Sequence, residues 1–163
     1  MQNLNVLVAD DNAHMRAIVA TILKSIGIDR IRETRDGAEA IAVLKDWAAD
    51  VAIVDFRMEP VDGVGFTKHV RTAPDSPNPY LPIIMLTGYA DRTRVLEARD
   101  AGVTELIVKP VNTQAVISRL NAVLFHPRPF VKTAGYFGPD RRRSANAEYS
   151  GPERRKAATL KAE

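Results

Sequence analysis

The chain has 163 residues, 45% of them apolar, enough for one domain with a real core plus an appendage. It has no cysteine, which excludes a disulfide framework and any cysteine-based metal or redox site. Charge is unevenly spread: residues 1–125 hold 14 Lys/Arg and 16 Asp/Glu, a net of −2, while residues 126–163 hold 9 and 4, a net of +5. The basic segment is therefore the part expected to seek an anionic partner.

The chain opens without a basic segment, and its first apolar run is broken by Asp10–Asp11, which argues against a secretory signal. No apolar run nears the roughly 20 residues of a membrane span, so a cytoplasmic location is expected. Val6-Leu7-Val8 is a buried-strand run ending at Asp10 and Asp11. Met15, Ile18, Val19, Ile22, Leu23 and Ile26 follow helical spacing up to Gly27. A short strand around Ile31 is the weakest signal. Asp36–Gly37 marks a turn before a helix carrying Ala38, Ile41, Ala42 and Leu44. Val51 to Val54 is a continuous apolar run ending at Asp55, and Gly63 to Val70 reads as a third helix. Pro74, Pro77, Pro79 and Pro82 define a loop no helix could cross. Ile83 to Leu86 is the next strand, ending at Thr87–Gly88. A fourth helix around Val95–Ala98 is closed by Gly102. Glu105 to Val108 is the last strand, before Lys109–Pro110. Val116, Ile117, Leu120, Val123 and Leu124 give a final amphipathic helix.

Five β–α alternations with apolar strands imply an α/β fold, a doubly wound parallel sheet of five strands covered on both faces. Ligands of such sheets bind beyond the carboxyl ends of the strands. Asp10, Asp11, Asp55, Thr87 and Lys109 all follow strand ends, so the pattern gathers them at one edge. Three carboxylates converging on one point repel each other, and a hard cation such as Mg²⁺ relieves that repulsion through oxygen ligands. Lys109 offers a fixed positive charge for a phosphoryl oxygen, the Thr87 hydroxyl can donate to another, and Asp55 is the natural nucleophile.

These residues resemble the CheY-like response-regulator receiver family. The resemblance covers roughly residues 3–125 and rests on Asp10–Asp11, Asp55 followed by Met58 and Asp62–Gly63, Thr87–Gly88, and Lys109–Pro110. It implies a flavodoxin-like receiver fold and a regulatory rather than enzymatic role. It implies that Asp55 accepts a phosphoryl group from a histidine kinase or phosphotransfer protein, and that Thr87 and Lys109 contact that group. Mg²⁺ would be bound by Asp10, Asp11, Asp55 and the backbone carbonyl of Arg57. Two departures stand out. Glu59 lies between Met58 and Pro60, and Leu106 occupies the position of the family's aromatic switch, which predicts weak coupling to the usual docking face around Val95, Arg99 and Leu106.

After residue 125 the character changes. His126 to Phe130 is too proline-rich for a regular element, and the segment 126–163 is expected to be disordered when free. It contains a tandem repeat. Tyr136-Phe137-Gly138-Pro139-Asp140-Arg141-Arg142-Arg143 returns 13 residues on as Tyr149-Ser150-Gly151-Pro152-Glu153-Arg154-Arg155-Lys156. Arginine forks suit phosphate and guanine edges and can stack on bases. Asp140 and Glu153 would repel a phosphate but could accept hydrogen bonds from a guanine Watson–Crick edge. Tyr136 and Tyr149 add stacking. Two copies of a guanine-and-phosphate reader suit cyclic di-GMP. The combination resembles the CheY-like cyclic di-GMP effectors, the Cle group, which implies docking on the flagellar motor switch and recruitment to the motor or cell pole. A nucleic-acid or acidic-protein partner and a plain solvated tail remain as alternatives. DNA reading is disfavoured because no helix-turn-helix follows the domain. His14 is expected to be a surface residue, His69 and His126 to have no acidic partner at ligand spacing, Trp47 to be partly buried packing, and Met15, Met58 and Met85 to be core fillers.

Overall fold

The structure is a computed structural model, which describes residues 1–142 and the backbone of residues 158–160. Strands β1 (Asn5–Ala9), β2 (Arg30–Thr34), β3 (Val51–Asp55), β4 (Ile83–Thr87) and β5 (Glu105–Val108) form one parallel sheet in the order β2-β1-β3-β4-β5. Helices α1 (Ala13–Ser25), α2 (Gly37–Asp46), α3 (Gly63–Thr72), α4 (Arg92–Ala101) and α5 (Thr113–Phe125) alternate with them. The expected doubly wound sandwich is thus present. Both faces of the central strands are buried, which is why they read as unbroken apolar runs. Leu7, Ala52, Val54, Ile83 and Met85 pack with residues of α2, α3 and α4. Val6, Val8, Ile53, Ile84 and Leu86 pack with residues of α1 and α5. Strand β2 was the faintest in the sequence because it is an edge strand, mostly exposed, with only Thr34 buried.

Each helix starts on an Asn or Asp cap. The side chains of Asn12, Asp36, Asp62, Asp91 and Asn112 accept from the backbone N–H of Met15, Ala38 and Glu39, Gly65, Arg94 and Ala115 respectively. Each cap satisfies N–H groups that the helix leaves unbonded and contributes about 1 kcal/mol. The caps fix where each strand-to-helix loop ends, and those loops frame the strand-end edge. Helix α4 stops at Gly102, whose φ of +103° lies in the left-handed region that glycine enters without strain.

Residues 126–142 depart from expectation. They are folded against the domain rather than extended from it. Strands β6 (Phe130–Thr133), β7 (Tyr136–Pro139) and β8 (Ala158–Leu160) pair antiparallel in the order β7-β6-β8. Phe130 is buried, and Phe130, Phe137 and Tyr80 form an aromatic triad with ring centroids 5.0, 5.4 and 5.6 Å apart. Beneath them lies Arg71 of α3, only 3% exposed. Its guanidinium donates to the carbonyls of Gly102, Pro79 and Leu81 at 3.0, 2.8 and 2.7 Å and to Thr104 Oγ1 at 3.4 Å, while the Phe130 ring covers it at 5.0 Å. Burial pulls its pKa down to about 9, which leaves it charged at neutral pH. Arg128 adds a clasp by donating to the carbonyls of Asp140 and Thr104. The hairpin therefore sits where the chain enters β4 and β5, at the end of the sheet opposite Asp55. The signal available in the sequence was a pair of short β-prone runs, Phe130-Val131-Lys132-Thr133 and Tyr136-Phe137, about Ala134–Gly135, which the flanking prolines and the charge run masked.

If the hairpin belongs to the fold, Phe130→Ala should destabilise the protein by roughly 3 kcal/mol, the order expected for emptying a buried aromatic site. For a chain of this size that lowers the melting temperature by about 6–12 °C. A thermal melt unchanged within 1–2 °C (about the error of such a scan) would show that residues 126–142 contribute nothing to the domain.

Candidate functional site

The carboxyl end of β1 delivers Asp10 and Asp11, β3 ends on Asp55, β4 ends on Thr87, and β5 leads directly into Lys109. The carboxylate oxygens of Asp10, Asp11 and Asp55 lie within 4.8 Å of one another. Asp10 and Asp55 are buried, at 1% and 6% exposure, and Asp11 is exposed at the mouth. Lys109 Nζ stands 2.8 Å from Asp55 Oδ1 and 3.7 Å from Asp10 Oδ2. Sequence reasoning thus placed all five residues at the right edge, and the fold brings four of them into one charged cluster. Thr87 is also buried there, but its hydroxyl is engaged with the β4–α4 loop. It donates to the Tyr89 carbonyl at 2.9 Å and accepts from the Tyr89 N–H at 3.2 Å.

The backbone explains the spacing of the motif. Gly63 opens α3 against β3, where a Cβ would come within 2.3 Å of the Asp55 carbonyl oxygen. No other residue fits without displacing the strand end that carries the carboxylate. Asp62 caps α3 at 2.7 Å and so fixes the glycine in place. Asp10 is oriented through its backbone and side chain: Arg16 Nη1 donates to its carbonyl at 2.7 Å, and its Oδ1 accepts from Asn12 N–H at 2.9 Å.

The electrostatics fit a cation. Among the described residues, Asp10 Oδ2 is the one buried side-chain oxygen or nitrogen with no hydrogen-bond partner. An unsatisfied buried carboxylate oxygen is costly unless a charge meets it. Burial, with the nearby Asp55 charge adding to it, raises the Asp10 pKa from 3.8 to about 6 against the opposing effects of the Asn12 N–H and Lys109. Lys109 is itself pulled down by burial, but its hydrogen bond and charge contact with Asp55 win, and its pKa is raised. The site is a cluster of hard oxygen donors typical of a divalent-cation site such as that for Mg²⁺. Arg57, whose backbone carbonyl the sequence nominated, follows Phe56 at the exposed rim.

Around the mouth lies a group that sequence reasoning missed. Tyr89 is 61% exposed, with the Arg94 guanidinium 5.1 Å from its ring and that of Arg57 at 5.8 Å. Arg94 also covers Phe56 at 5.2 Å. Leu106, in place of an aromatic residue, is half-buried against the core rather than free at the surface. His14 is exposed as expected, His126 is exposed too, and Met58 and Met85 are core. His69 does have an acidic neighbour, with Nε2 3.6 Å from Asp75 Oδ1.

The tail residues fall into two sets. Tyr136, Asp140, Arg141 and Arg142 are described, and none lies near Asp55. The Asp140 carboxylate is taken up by Arg142, whose N–H, Nε and Nη2 donate to it at 2.9–3.2 Å. That hydrogen bonding lowers the Asp140 pKa. Arg141 stacks over Tyr136 at 4.6 Å. Arg143, Tyr149, Glu153, Arg154 and Arg155 lie outside the described residues.

The family profile described as "Response regulator receiver domain" matches residues 6–121. Among curated relatives, chemotaxis protein CheY-3 of Vibrio cholerae is 32% identical over 122 residues, which cover 75% of this chain and 92% of that one. Chemotaxis protein CheY of Pseudomonas aeruginosa is 29% identical, with 74% and 95% covered. Among solved structures, CheY4 of Vibrio cholerae superposes with a TM-score of 0.68 at 31% identity, covering 74% of this chain and 98% of that one. The Francisella response regulator 1452 receiver domain gives 0.68 at 27% identity, with 77% and 100% covered. Members of this family are regulatory signalling modules, and no helix among the described residues is long and apolar enough to cross a membrane. With the matched span containing the parallel sheet from Val6 onward and all five residues of the charged edge, the chain belongs to the response regulator receiver family.

Proposed function

We propose that this protein is a cytoplasmic response regulator whose Asp55 accepts a phosphoryl group from a histidine kinase or phosphotransfer protein. The observation that carries the reading is the cluster of Asp10, Asp11 and Asp55 within 4.8 Å, with Lys109 at 2.8 Å from Asp55. Asp10, Asp11, Asp55 and the Arg57 carbonyl would hold Mg²⁺, which when bound neutralises charge on the incoming phosphoryl group. Asp55 attacks phosphorus with a carboxylate oxygen, and the bond to the donor breaks as the acyl phosphate forms. Lys109 then pairs with a phosphoryl oxygen in place of the Asp55 oxygen it now contacts. Thr87 can donate to another oxygen once its O–H turns away from the Tyr89 carbonyl, which gives up one of the two contacts between Thr87 and the β4–α4 loop.

Output is proposed to run through docking of the receiver itself on a partner. The surface of α4 and β5 around Val95, Arg99 and Leu106 is the proposed docking face, and the flagellar motor switch the proposed partner. The chemotaxis identity of the two curated relatives supports that choice. The tandem arginine motif is proposed to bind cyclic di-GMP. Support comes from the repeat itself and from the fork of Arg142, held by Asp140 at an 81% exposed position. In the free protein Asp140 serves Arg142, and it would turn to guanine N–H groups only on binding.

Incubated with Mg²⁺ and a small phosphodonor, the protein should gain one acid-labile phosphoryl group that Asp55→Asn abolishes, as read by intact mass. Retention of that group in the variant rules out Asp55. Because Asp10 must be ionised to hold the cation and its pKa is raised to about 6, protons compete with the metal below that pH. Native Asp10 binds its proton more tightly than unfolded Asp10, so this group's contribution to stability falls as pH rises from about 4 to 6. Calorimetric Mg²⁺ affinity should drop about tenfold between pH 7 and pH 5. A flat profile would place the cation elsewhere. For the tail, Arg142→Ala should weaken cyclic di-GMP binding about 5- to 150-fold, the worth of one arginine–guanine contact. Equal affinity for an unrelated dinucleotide would reduce the tail to a basic patch.

A further inference from the structure

On the last turn of α4, a single carboxylate oxygen is shared by two guanidiniums from different parts of the chain. Asp100 Oδ1 lies 2.7 Å from Arg141 Nη1 and 3.6 Å from Arg99 Nε. Arg99 belongs to α4, whereas Arg141 follows β7 and begins the basic triplet of the first motif. The Arg141 guanidinium also lies over the Tyr136 ring, 4.6 Å from its centroid. That ring is fixed in turn, because its hydroxyl donates to the Pro139 carbonyl at 2.7 Å. The Arg141 side chain is only 25% exposed, against 81% for Arg142. The leading arginine of the motif is thus docked on the receiver, while its neighbour faces solvent.

An anionic oxygen hydrogen-bonded by one arginine, within ion-pair range of a second and beside an aromatic ring is the setting that a phosphodiester oxygen would use. A carboxylate oxygen can stand in for a phosphate oxygen because both are compact anionic acceptors. We propose that Arg99 and Arg141 form a phosphodiester-oxygen site that Asp100 fills in the free protein, so that nucleotide and receiver compete for Arg141. This rests on the reading of the tail as a cyclic di-GMP binder and names the residues that regulate it. The competition links the two halves of the molecule. Ligand capture frees Asp100 and the end of α4 from the hairpin, and by reciprocity any state of α4 that withdraws Asp100 favours the ligand. Arg99 has a second consequence, since it also lies on the proposed docking face. A bound nucleotide would occupy part of the surface offered to a protein partner.

The test is calorimetric titration of the full chain with cyclic di-GMP. Asp100→Asn removes the internal competitor and should tighten binding about two- to fivefold, the range of an exposed ion pair. Adding Arg99→Ala to that variant should cancel the gain. Glu97→Gln, which removes an exposed carboxylate from the same helix, should leave affinity unchanged and so controls for net charge. Binding by the unmodified protein with no gain in Asp100→Asn, or an equal gain in Glu97→Gln, overturns the site while the tail reading stands. Binding seen only in Asp100→Asn supports the site strongly. No binding by any variant overturns the tail reading and the site with it.

Discussion

Three carboxylates cannot share one pocket edge without a countercharge, and the way this chain meets that constraint organises the rest of it. Lys109 reaches back from the end of β5 to Asp55 and Asp10, so the strand order β1-β3-β4-β5 is needed simply to bring cation and anions within 4 Å. One internal lysine is not enough. Asp10 Oδ2 keeps no hydrogen-bond partner, and burial works against its ionisation. The edge is therefore held short of electrostatic balance, a condition that favours divalent cations and whatever anion they bring.

At the opposite end of the sheet the problem is inverted. Arg71 is a buried cation that donates to four neutral oxygens, three carbonyls and one hydroxyl. A guanidinium so enclosed needs every donor used and its face covered, and the Phe130 ring supplies the cover. The C-terminal hairpin is thus the roof of a polar site, held by aromatic packing and by two backbone carbonyls that Arg128 grips.

What could be read from the sequence was set by how local the determining physics was. Strand runs such as Val51–Val54 and Ile83–Leu86 announce themselves because both faces are buried, and strand ends are legible because polarity changes abruptly at Asp55 and Thr87. The charged edge followed from topology alone. The hairpin did not, because its stability comes from Arg71 and Tyr80, some 50 to 59 residues before the Phe130 and Phe137 rings they meet, and no local pattern encodes that pairing. Tyr89 was missed for a similar reason. Its contact with Arg57 joins two loops that only the fold brings together, and Arg94 adds to it from the first turn of α4. The acidic residue of the first motif was seen as a ligand acceptor, whereas its nearest claim is the arginine two places on.

The close approach at Gly63 has a mechanical meaning. With no Cβ between them, the start of α3 bears directly on the backbone of Asp55, as the end of a pushrod bears on a cam. The rod is ten residues long, about 15 Å, and Arg71 sits at its far end under the aromatic roof. A shift of the β3 terminus of a few tenths of an ångström cannot be absorbed by side-chain rotation at Gly63, because there is no side chain to rotate. It must be met by the backbone of α3 itself, whose far end carries the buried guanidinium, and so the two chemically distinct ends of this molecule are ends of the same helix.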